Sequence, residues 1–292
     1  TNTNGIPLNF EREYFLANSS AVYNIKVPFV SSLDDTDVVM HYGSATEIVD
    51  KSYAANAWDA GYVMVQHMGA SLLDSTSYSN DGVNYGTTLE SGLNGNSRRF
   101  DGSSSIQVPA SNSLGLTSSL TMMAVTNYTT VENRVFIEKS NNNTSYQLQI
   151  MAAEQGKPGA GGRMAFMTSV VSFPRHGVIT NSTLTGATFK YIAATLGGGV
   201  ANIYLDGVVQ ESKSSIVAAQ AGSYPLLIGD RYLNNGVGVV GVIDEVRISN
   251  VPRSAAWIKA EYHSLFSTLY TVGEEIVSDS ADSDDIFLGC NF

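Results

Sequence analysis

The chain has 292 residues, 43% of them hydrophobic and only 15% charged, and its 27 acidic against 16 basic side chains give a net charge of −11. That balance excludes a long disordered chain, argues against nucleic acid as a partner because no basic stripe is there to neutralise phosphates, and disfavours an anionic membrane surface. No apolar run approaches the roughly 20 residues of a membrane span, and a single cysteine, Cys290, leaves neither an internal disulfide nor a zinc site.

Taken in order, residues 6–14, 21–29 and 38–42 read as extended segments. The middle one alternates Val22, Asn24 and Lys26 against Tyr23, Ile25 and Val27 and stops at Pro28. Residues 58–68, WDAGYVMVQHM, continue as a strand. His67 lies in it with no carboxylate or second histidine at a telling spacing, so it reads as a half-buried strand residue rather than a base or ligand. A polar loop at 74–82 and a Phe100, Asp101, Gly102 turn precede strands at 105–108, 120–127, 134–139, 146–151, 163–167, 170–173 and 190–195. The strand at 201–205 enters an Asp206-Gly207 hairpin turn. Gly236, Gly238 and Gly241 satisfy G-x-G-x-x-G, but they lead into a strand, not into a helix whose N-terminus could hold a pyrophosphate. Ser254 caps a helix over 255–263. Many short apolar runs separated by Gly, Ser, Asn and Thr make this an all-β chain.

Residues 241–249, GVIDEVRIS, resemble the signature F-x-G-x-I-D-E-V-R-I-Y of laminin-G-like, concanavalin A-like modules, with Val239 in the aromatic position. The segments DSTSYSNDG at 74–82, RFDG at 99–102 and ANIYLDG at 201–207 follow in the same family's order, with Tyr191 where the family carries Trp. The resemblance spans 58–273 and implies an antiparallel β-sandwich of jelly-roll type with a short C-terminal helix. Upstream, NGIPLNFEREYF, VYNIKVPFVSS and DDTDVVMHYGSA resemble the C-terminal half of the domain of unknown function 2341, and 58–68 resembles the junction between the two modules. A partial β module at 1–57 implies an open sheet edge, to be closed by docking on the next domain or on another chain. The chain starts at Thr1 without an initiator Met or signal peptide, which reads as processing or a fragment.

Glycosidases on this fold need paired carboxylates across the scissile bond. No E-x-D-x-x-E or E-x-D-x-E run occurs, and Asp244 and Glu245, as strand neighbours, are expected on opposite faces. G-x-S-x-G, Walker A and H-E-x-x-H are also missing, so the chain reads as non-catalytic. Two readings of the acidic loop stand. Asp74, Asn80 and Asp81, with Asp244 brought beside them as in related modules, could supply oxygens to calcium. Alternatively, Asp74 and Asp101 satisfy turn amides and Asp244 pairs with Arg247 or caps a turn. Sugar-binding candidates come from loops: Asn142, Arg175, His176, Tyr232 and Asn234, since a ring stacks on a pyranose face and amides hold hydroxyls.

Residues 274–285 form an acidic linker, after which Ile286, Phe287, Leu288 and Phe292 make an apolar end. It reads either as a free terminus or as a peptide that adds to a neighbour's sheet edge. Two functions follow. One is a non-catalytic structural or adhesion protein of an extracellular surface or virion, assembling with copies of itself or a partner chain through its terminal segments. The other is a carbohydrate-binding module, calcium-dependent and lectin-like. A glycoside hydrolase comes last.

Overall fold

The computed structural model describes residues 1, 5–16, 19–31, 33–42, 52–128, 133–140, 146–151, 162–169, 176–183, 188–220, 222–231, 236–269, 271–277 and 286–291, with backbone alone at 42, 169, 176, 182, 271–277 and 286–291. The chain divides into two compact units, Ala60–Tyr262 and a second made of Thr1–Asp59 with His263–Phe292.

The terminal unit begins with β1 (Phe10–Leu16) and β2 (Ser20–Ile25), an antiparallel pair with a bulge between Arg12 and Tyr14. Then come β3 (Asp37–Tyr42) and a short helix α1 (Ala54–Ala57). Glu11 is buried and accepts a hydrogen bond from Trp58 Nε1 at 2.7 Å, which ties the first strand to the unit's last residues before the sandwich.

The larger unit contains β4 (Tyr62–Gln66), β5 (Val83–Tyr85), β6 (Thr88–Ser91), β7 (Asn96–Asp101), β8 (Ser105–Val108), β9 (Leu120–Tyr128), β10 (Arg134–Lys139), β11 (Tyr146–Met151), β12 (Arg163–Ser169), β13 (His176–Thr183), β14 (Lys190–Gly197), β15 (Val200–Leu205), β16 (Val208–Lys213), β17 (Leu226–Ile228), β18 (Val240–Ser249) and the start of helix α2 (Ala255–Leu265). They form the expected antiparallel sandwich. One sheet runs β13-β12-β11-β10-β17-β8-β5, the other β16-β15-β14-β9-β18-β7-β6 with β4 also on β18. Alternation along each strand sends one side chain in two to the core. Ile137, Leu148 and Phe166 from one sheet meet Met122, Ile192 and Ile248 from the other in a single buried cluster.

Two sequence features explain how the sheets close. Asp206 (φ 48°) and Gly207 (φ 75°) are both left-handed, as a two-residue hairpin between right-twisted strands requires. Gly241 lets β18 approach β9, because a Cβ there would lie 2.3 Å from the Asn127 carbonyl oxygen. The glycine-rich stretch is thus a packing device. Ser254 caps α2 through its Oγ, which accepts from Trp257 N at 3.2 Å.

The chain then returns to the terminal unit with β19 (Thr271–Val277) and β20 (Ile286–Asn291). These join β3 in a three-stranded sheet of order β19-β20-β3. The apolar end therefore does add a strand to a sheet edge, but the edge is that of its own chain's β3, with Phe287 opposite His41 and Leu288 opposite Met40. Ile286 opens this strand, and Phe292 lies outside the described residues.

Candidate functional site

The outer faces of the two sheets differ in chemistry. On the eight-stranded sheet, β18 carries a bulge: three steps from Asp244 to Arg247 oppose two from Val125 to Met123 on β9, and Glu245 takes φ 48°. This is also where β18 changes its other partner from β7 to β4. The extra residue breaks the alternation, which corrects the expectation that Asp244 and Glu245 simply point to opposite faces. Glu245 reaches Arg247, whose Nε and Nη2 donate to Oε2 at 3.0 and 2.5 Å, and its Oε1 lies 2.8 Å from His67 Nδ1. The histidine does have a carboxylate partner, 178 residues away in sequence, where no local spacing could reveal it. Arg247 Nη1 donates to Glu261 Oε1 on α2 at 2.7 Å, and Tyr62 OH donates to the same oxygen at 3.2 Å.

These charges are sealed. Burial alone would raise the Glu245 pKa, but His67 and Arg247 outweigh it and hold the carboxyl well below the usual range. Burial would lower Arg247, but Glu245 and Glu261 hold its guanidinium above its ordinary value. Burial, helped by the Glu261 charge, pushes the Tyr62 phenol far up. Beside them Arg253 stacks 4.4 Å from the centroids of both Tyr62 and Trp257. Every charge here has a partner, which is the arrangement of a structural ion network.

The seven-stranded sheet presents a different outer face. One row crosses six strands: Met167, Gln147, Glu138, Leu227, Gln107 and Val83 stand opposite one another in turn on β12, β11, β10, β17, β8 and β5. Exposure along it is 1%, 3% and 1% over the first three and 48% at Val83, with Leu227 and Gln107 half-buried. The next row places Ser105 opposite Tyr85, which is 54% exposed. Gln147 Nε2 has no hydrogen-bond partner among the described residues although it is buried. The open half of this face, over β17, β8 and β5, thus offers an aromatic ring, an amide, a hydroxyl and two aliphatic side chains. Sequence reading missed Tyr85 and Gln107. The alternation in SIQV, with Ile106 and Val108 in the core, was the signal that turns Gln107 outward.

The acidic loop is built from its own backbone. Asp74 Oδ1 accepts from Val65 N and Thr76 N at 2.9 and 3.0 Å, and Oδ2 accepts from Asn80 N and Thr76 Oγ1 at 2.9 and 2.7 Å. Burial raises the Asp74 pKa, against the pull of those donors. Asp81 Oδ1 accepts from Asp74 N at 2.8 Å, and Asn80 Nδ2 donates to Val63 O and Ser113 Oγ at 2.6 and 2.9 Å. Asp244, fully buried, accepts from Leu93 N and Glu245 N at 2.9 and 3.0 Å. Among the described residues the three carboxylates do not cluster on one point. Both oxygens of Asp74 and of Asp244, and Oδ1 of Asp81, accept from donors of the protein itself, the turn-satisfying arrangement that the second reading of this loop describes.

Asn142, Arg175, Tyr232 and Asn234 lie outside the described residues. The strand ends that lead to them are divided: Lys139 pairs Tyr146 and Ser169 pairs His176 at one end of the seven-stranded sheet, while Ile228 pairs Ile137 toward the other. His176, expected in a loop, is corrected by the structure: it is the first residue of β13, held there by pairing with Ser169 across a register shift.

A family profile described as the concanavalin A-like lectin/glucanases superfamily matches residues 100–259. No curated protein matches the chain in sequence. Among solved structures, domain 4 of AbnA, a GH43 extracellular arabinanase from Geobacillus stearothermophilus, in complex with arabinotriose, superposes with a TM-score of 0.56 at 16% identity, over 68% of this chain and 96% of that one. The binding domain of Paraclostridial Mosquitocidal Protein 1 gives 0.59 at 14% identity, over 75% and 56%. The ligand-binding domain of botulinum neurotoxin serotype D in complex with N-acetylneuraminic acid gives 0.55 at 13% identity, over 70% and 51%. The chain spans about half the length of the two toxin domains.

Proposed function

The chain belongs to the concanavalin A-like lectin/glucanases superfamily, and on that premise we propose that it is a non-catalytic carbohydrate-binding module acting outside the cell. The carrying observation is the open half of the outer face of the seven-stranded sheet, where Tyr85 and Gln107 stand on adjacent strands without a charge between them. A tyrosine ring covers the apolar face of a sugar, and the Gln107 amide and Ser105 hydroxyl both donate to and accept from hydroxyls. Two structural relatives with bound saccharides support the reading. Catalysis is not part of the proposal. The one carboxylate pair on a core strand, Asp244 and Glu245, is engaged by Leu93, His67 and Arg247.

A glycan array tests this. We expect a defined set of bound glycans, and Tyr85→Ala and Gln107→Ala each to weaken them about tenfold, about 1.4 kcal/mol. Binding is expected to persist in EDTA, because Asp74, Asp81 and Asp244 serve the backbone. A blank array with and without calcium overturns the proposal.

A second reading, assembly between copies, is favoured by the exposed Phe15, Phe29 and Leu33 of the terminal unit. Light scattering on the full chain and on a chain lacking 270–292 decides it: a monomer in both removes this reading.

A further inference from the structure

Resting on the carbohydrate-binding reading, we propose that the site continues along β5 to Asp81 and takes an oligosaccharide lying along that strand, with Tyr85 under one end and the Asp81 carboxylate at the other. The register sets the direction. Val83 stands opposite Gln107 and Tyr85 opposite Ser105, so the residues before Val83 run on past Gln107 toward the end of β8. Asn80 Nδ2 donates to Ser113 Oγ at 2.9 Å, which places the start of this run beyond that end. Gly82 faces the core, since a Cβ on it would lie 2.7 Å from Ile106 Cγ2. Alternation about Gly82 turns Asp81 to the same outer side as Val83 and Tyr85. Four residue steps separate Asp81 from Tyr85, about 13 Å at the rise of a strand, too far for one sugar ring to bridge.

Asp81 is set as an acceptor. Its Oδ1 accepts from Asp74 N at 2.8 Å, which orients the carboxylate, while Oδ2 has no hydrogen-bond partner among the described residues. The side chain is half-buried, so that oxygen is held in place and still within reach of solvent. A carboxylate takes sugar hydroxyls as donors, and an ionised acceptor makes the stronger bond. Leu73 lies beside it. The Leu72 carbonyl accepts from Gly82 N at 2.7 Å and Asp74 N donates to Asp81, so these two bonds flank Leu73. Leu72 enters the core, whereas Leu73 is 67% exposed and offers an apolar surface next to the acceptor.

A length series of the best-bound glycan, from monosaccharide to tetrasaccharide, tests this separately from the function. We expect affinity to rise with length until the chain reaches from Tyr85 to Asp81. Asp81→Asn keeps Oδ1 for Asp74 N and turns the open oxygen into a donor. It should leave the urea midpoint and the shortest bound piece unchanged and weaken the longest glycans about tenfold, the worth of one hydrogen bond to a charged group. Leu73→Ser, at an exposed position, should show the same length dependence with a smaller loss, and it carries the test should the Asp81 variant fold poorly. Tyr85→Ala should weaken every length. Affinity that does not grow with length, or losses in the Asp81 and Leu73 variants that are absent or equal at every length, overturn the inference and leave the carbohydrate-binding reading standing. A blank array removes both.

Discussion

The two outer faces of the sandwich make opposite use of polar side chains. Under α2, the eight-stranded sheet gathers Glu245, Arg247, Glu261 and His67, each ionisable group satisfied by another. On the seven-stranded sheet the open half over β17, β8 and β5 carries an amide, a hydroxyl and a phenol ring, with no charge. In a fold whose relatives include glucanases, acidic residues on a central strand invite a catalytic reading. Here the charges of the one face hold one another, and the face with the plainer chemistry is the one proposed to take a ligand.

Removing one charge from the sealed side would break the comparison most sharply. Arg247→Leu should destabilise the sandwich by about 3–5 kcal/mol, because Glu245 and Glu261 are left buried without their main partner. A urea titration should show a lower midpoint with an unchanged slope. A loss below about 1 kcal/mol would mean that water reaches the network.

A smaller effect comes through pH. The Glu245 pKa is depressed on folding, so its stabilisation is fully present above the ordinary glutamate value of about 4.3. It is lost as pH falls below that toward the folded value, with a slope of up to about 1.4 kcal/mol per pH unit. Urea midpoints measured from pH 5 to pH 3 should fall, and Glu245→Gln should flatten the decline. The smallest effect sits on an exposed turn. Asp101 accepts from Ser103 N, Ser103 Oγ and Ser104 N, and those bonds hold its pKa at about 2. Carboxyl NMR should place its titration there, and Ser103→Gly should move it upward.

How much of this was legible in the sequence depends on whether the controlling contact is local. The Asp206-Gly207 turn, the Ser254 cap and the turn role of Asp101 are set by neighbours two or three residues away and read directly. The alternation in 105–108 and 146–151 fixes which side chains enter the core. The pairing of His67 with Glu245 did not read, because it depends on a bulge that only β9, β7 and β4 together impose. The open face did not read either. Its floor is assembled from short strands far apart in the chain, and its exposure is decided by which neighbours are covered. Asn142 and Tyr232, the amide and ring that the loops could offer a sugar, lie outside the described residues, whereas Tyr85 and Gln107 of the proposed site lie on strands.

The chain holds 2 tryptophans, and they fall one to each compact unit. Trp58 donates to the buried Glu11 at the start of the chain, and Trp257 stacks on Arg253 with 42% of its surface exposed. Replacing either by Phe leaves a single indole reporter. The emission of W257F follows the terminal strands, that of W58F follows the sandwich, and the two units can be watched melting one at a time in the intact protein.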